Sequence, residues 1–200
     1  MEIIISEIDK SSIKALNKCD SAFVVDSRLI LHYENGRLSY TVASMPKYTK
    51  RYEPQNLDYS TYINNPEKTA FIAYADSKPI GQIIIRKNWN RFALIEDIRV
   101  DVNFRRRGIG KALIECGERW ARQKGFPGFM VETQDSNVGA CCFYEKYGFV
   151  LGGLDTQLYR AGALYTDDIA LFWYLVFDKS GPPRSPDPSL GEVMTLLSQL

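Results

Sequence analysis

The order of apolar and polar residues predicts short strands along most of the chain. Apolar residues that alternate with polar ones, or that form short runs between turn residues, are typical of strands. Segments of this kind lie at residues 2–6, 22–33, 36–42, 69–75, 80–87, 93–100, 128–134, 149–159 and 168–177. The sequence Glu34-Asn35-Gly36 joins the second and third of them, and Asn-Gly favours a tight hairpin.

Helical spacing replaces this alternation at two places in the second half of the chain. One apolar stripe consists of Ile109, Ala112, Leu113, Cys116 and Trp120, and the other of Ala140, Phe143, Tyr144 and Tyr147. Residues three and four apart share a helix face, so we predict a helix at each place. Shorter helices are predicted near residues 12–17 and 57–63, the second within a loop at 46–66. The strands on either side of the first long helix form a β-α-β unit.

The turn before the first long helix reads Arg105-Arg106-Arg107-Gly108-Ile109-Gly110-Lys111. Its glycines let the backbone approach a ligand, and a helix N-terminus offers unpaired N–H groups and the positive end of the helix dipole. Together with the three arginines, these features predict a pyrophosphate site. The spacing fits neither a Walker loop nor a Rossmann fingerprint. A basic turn with a purely structural role is the alternative.

This turn and a second motif resemble the GNAT acetyltransferase superfamily. Arg-x-x-Gly-x-Gly after a strand resembles its acetyl-CoA loop. The downstream motif N-x-x-A-x-x-F-Y-x-x-x-G-F is matched by Asn137, Ala140, Phe143, Tyr144, Gly148 and Phe149. The resemblance implies an α/β (α+β) GNAT fold, in which a central mixed, mostly antiparallel sheet splays between two parallel strands and is flanked by helices. It also implies acetyl-CoA as co-substrate and no metal.

Several shorter segments resemble the streptothricin acetyltransferase family. They lie at 88–90, 95–98, 132–135, 155–156 with 158–159, and 172–174, and the resemblance runs from about residue 69 to 177. It implies acetylation of an amine on the β-lysine part of streptothricin-type antibiotics such as nourseothricin, and so antibiotic resistance. Two features depart from the family pattern. The loop at 52–67 has only Glu53, Asp58 and Glu67 where some relatives carry a dense acidic run, and a Pro-rich tail follows Phe177.

The resemblance also implies a base and an acid, since GNAT enzymes let a neutral amine attack the thioester directly. Glu96 is the expected base, acting directly or through water, and Tyr144 is expected to protonate the CoA thiolate. A salt-bridged structural carboxylate is the alternative for Glu96. Glu132 is a second candidate, either as base or as an anchor for a second substrate cation. Strand alternation predicts one face with Leu94, Glu96, Ile98 and Val100, and the other with Ile95, Asp97 and Arg99.

The expected binding residues follow from the same resemblance. Backbone N–H groups of 106–111 would bind the pyrophosphate, and the strand edge at 98–100 would pair with the pantetheine arm and polarise the thioester. The full cofactor set is Ile98, Arg99, Val100, Arg105, Arg106, Arg107, Gly108, Ile109, Gly110, Lys111, Asn137 and Tyr144. Asn137 has capping of the second helix as its alternative. The expected acceptor site contains Trp89, Glu96, Glu132, Asp155 and Tyr159, since aromatic faces beside carboxylates suit a cationic amine. Trp173 is a further aromatic residue, with a core position as its alternative.

Composition narrows the class of protein. A chain of 200 residues with 45% hydrophobic residues and a net charge of +1 is typical of a globular protein, not of a nucleic-acid binder or a disordered chain. No apolar run is long enough to span a bilayer, and no signal core follows the start. Cys19, Cys116, Cys141 and Cys142 lack disulfide or zinc spacing, and His32 is the only histidine. We therefore expect a cytoplasmic enzyme that acts on a small cationic amine, without nucleic acid, membrane or metal, and we leave a homodimer open.

We predict a GNAT domain at residues 1–177 and a tail at 178–200. The prolines of the tail favour an extended linker, and residues 192–200 carry apolar residues at helical spacing. Two alternatives for the function stay open. The acceptor could be another amine, such as a polyamine, an aminoglycoside, a protein N-terminus or a lysine side chain. The domain could also be a non-catalytic acetyl-CoA-binding module, although the joint presence of Glu96 and Tyr144 argues against this.

Overall fold

Nine strands and two α-helices are found in the described part of the chain, in a computed structural model that describes residues 2–53, 57–160 and 167–178. The strands are β1 (Ile3–Glu7), β2 (Phe23–Glu34), β3 (Arg37–Lys50), β4 (Lys68–Ala75), β5 (Lys78–Lys87), β6 (Ala93–Val100), β7 (Gly128–Gln134), β8 (Val150–Asp155) and β9 (Ala170–Val176). The helices are α1 (Ile109–Gln123) and α2 (Val138–Tyr147), with 3-10 turns at Ile13–Ala15, Tyr59–Tyr62 and Val102–Phe104. Every predicted strand is present, and the fold is mixed α/β with mostly antiparallel strands, as expected.

Two strand boundaries differ from the prediction. β3 continues to Lys50, through Pro46, so the predicted loop at 46–66 begins later. Pro46 lies where the register between β2 and β3 shifts, a position that needs no ladder N–H. β8 ends at Asp155 instead of residue 159. The Asp155 carboxylate accepts hydrogen bonds from the N–H groups of Gln157 at 2.7 Å and Leu158 at 3.1 Å, and this turns the chain out of the strand.

The described residues fall into two compact units. The first unit takes in those of the ranges 1–21, 53–127 and 177–200, and the second those of 22–52 and 128–176. The predicted tail, from residue 179 onward, lies outside the described residues. Among the helices that are described, none is both long and apolar enough to cross a membrane.

In the first unit, β1, β4, β5 and β6 pair in that order, all antiparallel. Helix α1 packs closely on one face of these strands. At Gly81 a Cβ atom would lie 3.2 Å from Leu113 Cδ1 and 3.3 Å from Ile109 Cγ2, so glycine permits this close packing. The other face carries a hydrophobic cluster of Ile8, Leu16, Tyr59, Tyr62, Ala70, Ile72 and Ile84.

Strand β6 contains a β-bulge at Glu96. Ile85 of β5 lies opposite Ile95, and Ile84 lies opposite Asp97, so Glu96 is the extra residue in the ladder. Directly opposite residues share a face of the sheet. Ile95 and Asp97 therefore point to opposite faces, although they are two positions apart.

The bulge makes the predicted face assignment of Glu96 wrong. Ile98 and Val100 lie opposite Ile83 and Gly81, on the face that α1 covers. The Glu96 carboxylate instead contacts the Tyr62 hydroxyl and Arg86, on the face of the hydrophobic cluster. One extra residue in the strand thus moves Glu96 away from the face it was expected to share.

In the second unit, β7, β9 and β8 form an antiparallel sheet, and β2 and β3 form a long hairpin. Helix α2 packs against the sheet face that carries Thr133, whose Oγ1 lies 3.4 Å from Cys141 Sγ. The same hydroxyl accepts the Trp173 Nε1–H at 3.0 Å. Trp173 is only 1% exposed, so it occupies the core position that was its alternative.

Two ion pairs hold the hairpin against the loops at the ends of β7 and β9. Arg28 Nη2 lies 3.0 Å from Asp135 Oδ2, and Lys50 Nζ lies 2.7 Å from Asp168 Oδ2. Asp168 also accepts the Ser136 hydroxyl at 2.6 Å. Both carboxylates are buried, so their cations compensate charges that water does not reach.

Candidate active site

The glycine-rich turn leads directly into α1. Asp101 caps the 3-10 turn Val102–Phe104 just before it by accepting the N–H of Asn103 at 3.0 Å. Arg106 and Gly108 both have positive φ, 64° and 80°, and Gly108 is the N-cap of α1. Because glycine offers no capping side chain, the N–H groups of the first turn are left for a ligand. The open turn and the dipole of the 15-residue helix could together accept the phosphate oxygens of a ligand.

The basic residues of this region divide into two groups. Arg105 donates to the Val100 carbonyl at 3.1 Å and to the Ser21 carbonyl at 2.8 Å, so its guanidinium holds the turn in place. Arg99 is likewise engaged, since its guanidinium pairs with Asp97 at 2.5 Å. Arg106 and Arg107 are exposed, so their guanidinium groups are accessible to a bound phosphate group. Arg107 lies over the Phe104 ring, 5.4 Å from its centroid.

Glu96 is bound by two donors. The Tyr62 hydroxyl donates to Oε2 at 2.5 Å, and Arg86 Nε donates to Oε1 at 2.6 Å. Burial, and then the neighbouring Glu96, raise the pKa of Tyr62 well above its usual range, so the phenol stays a proton donor. Neither Tyr62 nor Arg86 was predicted. Arg86 could have been suspected as a basic residue on the preceding strand, whereas Tyr62 is 34 residues away in the sequence and gave no signal.

Tyr144 lies on α2 and is 3% exposed. Its ring packs against Phe143 and Phe149, with centroid distances of 5.4 and 5.2 Å. Asn137 precedes the same helix, and its side chain accepts the Ala140 N–H at 3.2 Å. The structure therefore places Asn137 in the capping role that was its alternative.

Glu132 and Tyr159 come together in the second unit. The Tyr159 hydroxyl donates to Glu132 Oε1. Burial raises the pKa of Glu132 above its usual value, and this hydrogen bond offsets part of the rise. Burial and the nearby Glu132 also raise the pKa of Tyr159. Of the other acceptor candidates, Asp155 caps the turn after β8, and Trp89, on the turn after β5 in the first unit, is 89% exposed.

No group of three or more His, Cys, Asp and Glu side chains within the described ranges is arranged to hold a metal ion. The groups that the described residues do bring to this region are carboxylates, phenols and backbone amides. These are the groups that a transfer of an acetyl group between a thioester and an amine uses.

Comparison with known proteins gives a consistent result. Residues 38–149 match the Acetyltransferase (GNAT) family. Streptothricin acetyltransferase A of Bacillus subtilis (strain 168) is 42% identical over 87% of this chain and 100% of its own length. A Bacillus anthracis (strain Ames) protein assigned as a streptothricin acetyltransferase, solved with acetyl coenzyme A, has a TM-score of 0.82 at 42% identity and covers 88% of this chain and 100% of its own. Nourseothricin acetyltransferase has a TM-score of 0.73 at 26% identity, over 88% and 99% of the two chains.

These relatives confirm both resemblances inferred from the sequence, and the expected fold with them. The match covers the turn before α1 and the whole of α2, which carry the two motifs. The chain therefore belongs to the GNAT family of acetyltransferases, enzymes that use acetyl-CoA as the acetyl donor.

Proposed function

We propose that this protein transfers the acetyl group of acetyl-CoA to an amine on the β-lysine part of streptothricin-type antibiotics, and thereby confers resistance to them. The observation that carries the proposal is the 42% identity to streptothricin acetyltransferase A over that protein's whole length. We also propose a cytoplasmic location, where acetyl-CoA is available and the free cysteines stay reduced.

The first unit would hold the co-substrate. Backbone N–H groups at 108–111 and the exposed Arg106 and Arg107 would bind the pyrophosphate at the N-terminus of α1. Lys111 would add a cation, and its ammonium lies 3.7 Å from Glu115. The backbone of 98–100 would pair with the pantetheine arm and offer an N–H to the thioester oxygen. Arg105 would contribute indirectly, because its hydrogen bonds hold the turn in position and its guanidinium is not assigned to the pyrophosphate.

Glu96 would accept the proton of the attacking ammonium, directly or through water. Tyr62 and Arg86 each occupy one carboxylate oxygen, and a carboxylate oxygen accepts more than one hydrogen bond. The carboxylate is thus held in one orientation and still has lone pairs for a substrate proton. Tyr144 would protonate the leaving thiolate, a step that should matter less than positioning because a thiolate is only a modest base and leaves readily.

The first test is release of CoA by the purified protein with nourseothricin, an aminoglycoside, spermidine or a basic peptide as acceptor. We expect release with nourseothricin. Release only with spermidine or peptide would keep the GNAT reaction and overturn the proposed substrate.

Two substitutions test the assigned roles. Glu96→Gln should lower turnover by about 10²–10⁴-fold with little change in acetyl-CoA binding, and Tyr144→Phe should lower it less. Glu67→Gln, at an exposed residue of the first unit, and Tyr147→Phe, at a buried position of α2, are matched controls. Wild-type turnover of both test variants across the pH range would refute these acid and base roles.

A further inference from the structure

Glu132 lies on the face of the β7–β9–β8 sheet that is opposite α2. Thr133, Val131 and Phe129 of β7 share the α2 face, so the alternate residue Glu132 points away from it. Phe172 of β9 lies directly opposite Glu132, and Gly153 of β8 lies opposite Phe172. The carboxyl group thus has a phenyl ring as its cross-strand neighbour, and beyond the ring stands a residue without a side chain.

Among the described residues, no cation pairs with Glu132, in contrast to Asp135 and Asp168 of the same unit. Asp135 pairs with Arg28, and Asp168 pairs with Lys50. Within the described residues, the hydrogen-bond partner of Glu132 is instead the neutral hydroxyl of Tyr159. Burial of this carboxylate is costly for its charged form, and burial is the cause of its raised pKa.

The groups around this carboxyl suit an organic cation. A carboxylate binds an ammonium through a charge-assisted hydrogen bond, and an aromatic face adds a cation–π attraction. Tyr52 is a second phenol of this region, where its hydroxyl donates to Gln134 Oε1 at 3.0 Å. Burial raises the pKa of Tyr52, and the charge of Glu132 raises it further, so it stays neutral.

Glu132 and Tyr144, the proton donor proposed for the thiolate, lie on opposite sides of β7. Tyr144 packs with Phe149, whose ring stacks on Phe129, so Tyr144 belongs to the α2 side of β7. Glu132 projects from the other side of the strand. A carboxyl group on the side of β7 away from Tyr144 suits the binding of a substrate cation better than a part in protonating the thiolate.

We propose that Glu132, with Phe172 beside it, is a subsite for a second ammonium group of the acceptor, and that this ammonium displaces the Tyr159 hydroxyl. The acceptor class is therefore an amine with at least two positive charges. The inference rests on the proposed function, because it concerns the acceptor of the same reaction. It assigns Glu132 to binding and not to proton transfer.

Two acceptors that differ by one ammonium group test the proposal. They are β-lysine amide, which carries two amines, and 3-aminohexanamide, which lacks the distal one. We would measure KM for each, or its inhibition constant against nourseothricin if turnover is slow. The wild-type protein should bind the diamine about 10- to 100-fold more tightly, the range of a charged hydrogen bond.

Four variants test which residue is responsible for the preference for the diamine. In Glu132→Gln the two amides should bind nearly equally, while the KM for acetyl-CoA stays as in the wild type and so reports an intact fold. Phe172→Leu should reduce the preference in part. Tyr159→Phe should keep it, because the displaced hydroxyl is not needed in the complex. Glu34→Gln, at an exposed residue of the same unit, should change nothing.

Equal binding of the two amides by the wild type, or a preference that survives in Glu132→Gln, would overturn the subsite. Loss of the preference in Tyr159→Phe would also contradict displacement of its hydroxyl. The proposed function fails separately, if nourseothricin is not acetylated. Acetylation of nourseothricin without discrimination between the amides refutes the subsite alone.

Discussion

Replacing Lys50 with methionine removes the cation that pairs with buried Asp168. The ammonium lies 2.7 Å from Asp168 Oδ2, and the two side chains are 17% and 7% exposed. Methionine keeps most of the length of the side chain, so the change is mainly the loss of charge. The hairpin β2–β3 would then be held to the loop before β9 by fewer charged contacts.

The structure sets the size of the effect. Removing one partner of a buried ion pair typically costs about 3–5 kcal/mol. Here Ser136 still donates to Asp168 at 2.6 Å, and Arg28 Nη2 lies 4.0 Å from it, so part of the charge stays compensated. We therefore expect a loss of about 2–3 kcal/mol in the free energy of unfolding, or about 4–12 °C in Tm for a chain of this size.

Urea unfolding followed by circular dichroism measures this loss. Lys47→Met is the matched control, since Lys47 lies on the same strand and is exposed. The double variant Lys50→Met/Asp168→Asn should be more stable than Lys50→Met alone, because it leaves no uncompensated charge. If Lys50→Met unfolds within about 0.5 kcal/mol of the control, the ion pair does not stabilise the fold as argued.

Other measurements probe packing and ionisation. Gly152→Ala should destabilise the fold by about 1–2 kcal/mol, because the added Cβ would lie 2.6 Å from the Tyr174 ring. Gly139→Ala, on the open surface of α2, should stabilise the fold by about 0.5–1 kcal/mol. Urea unfolding curves that rank the two variants in the opposite order would refute this packing. Burial raises the pKa of Cys141 to about 12, so mass spectrometry should find it alkylated by iodoacetamide only after unfolding, and rapid alkylation of the native protein would contradict its burial. Because burial raises the pKa of folded Glu132, its contribution to stability should be full below its unfolded pKa and be lost as the pH rises through the folded value. The free energy of unfolding of the wild type, relative to Glu132→Gln, should thus fall as the pH rises above about 4, the ordinary range of a glutamate, and a rise would show the sign to be wrong.

Local signals made the two functional helices predictable. Gly108 and Gly148 both have positive φ at helix ends, and Asn137 caps α2 with its side chain. Each of these features depends on residues within a few positions of one another. The turn and the two motifs could therefore be found without knowledge of the tertiary structure.

The bulge in β6 could not be predicted in the same way. Nothing in the residues from Leu94 to Val100 marks an extra residue, because a bulge is defined by the register with the neighbouring strand. The extension of β3 through Pro46 has the same origin, since it depends on the shift in pairing with β2. Tertiary pairing decides both, and it overrides the local pattern.

The hydrogen-bond partners of Glu96 and Glu132 could not be predicted from the sequence either. These partners distinguish two glutamates that have similar sequence surroundings. Glu96 and Glu132 are both strand glutamates near the predicted site. Glu96 is bound by Arg86 and Tyr62, so its negative charge is balanced within the protein. Within the described residues, Glu132 is bound by the Tyr159 phenol, so part of the cost of burying its charge would be recovered when a cation binds. A bound cation would give Glu132 a charged partner, and this gain favours binding of the ligand. Glu132 is therefore a stronger candidate than Glu96 for recognition of the charge on the substrate.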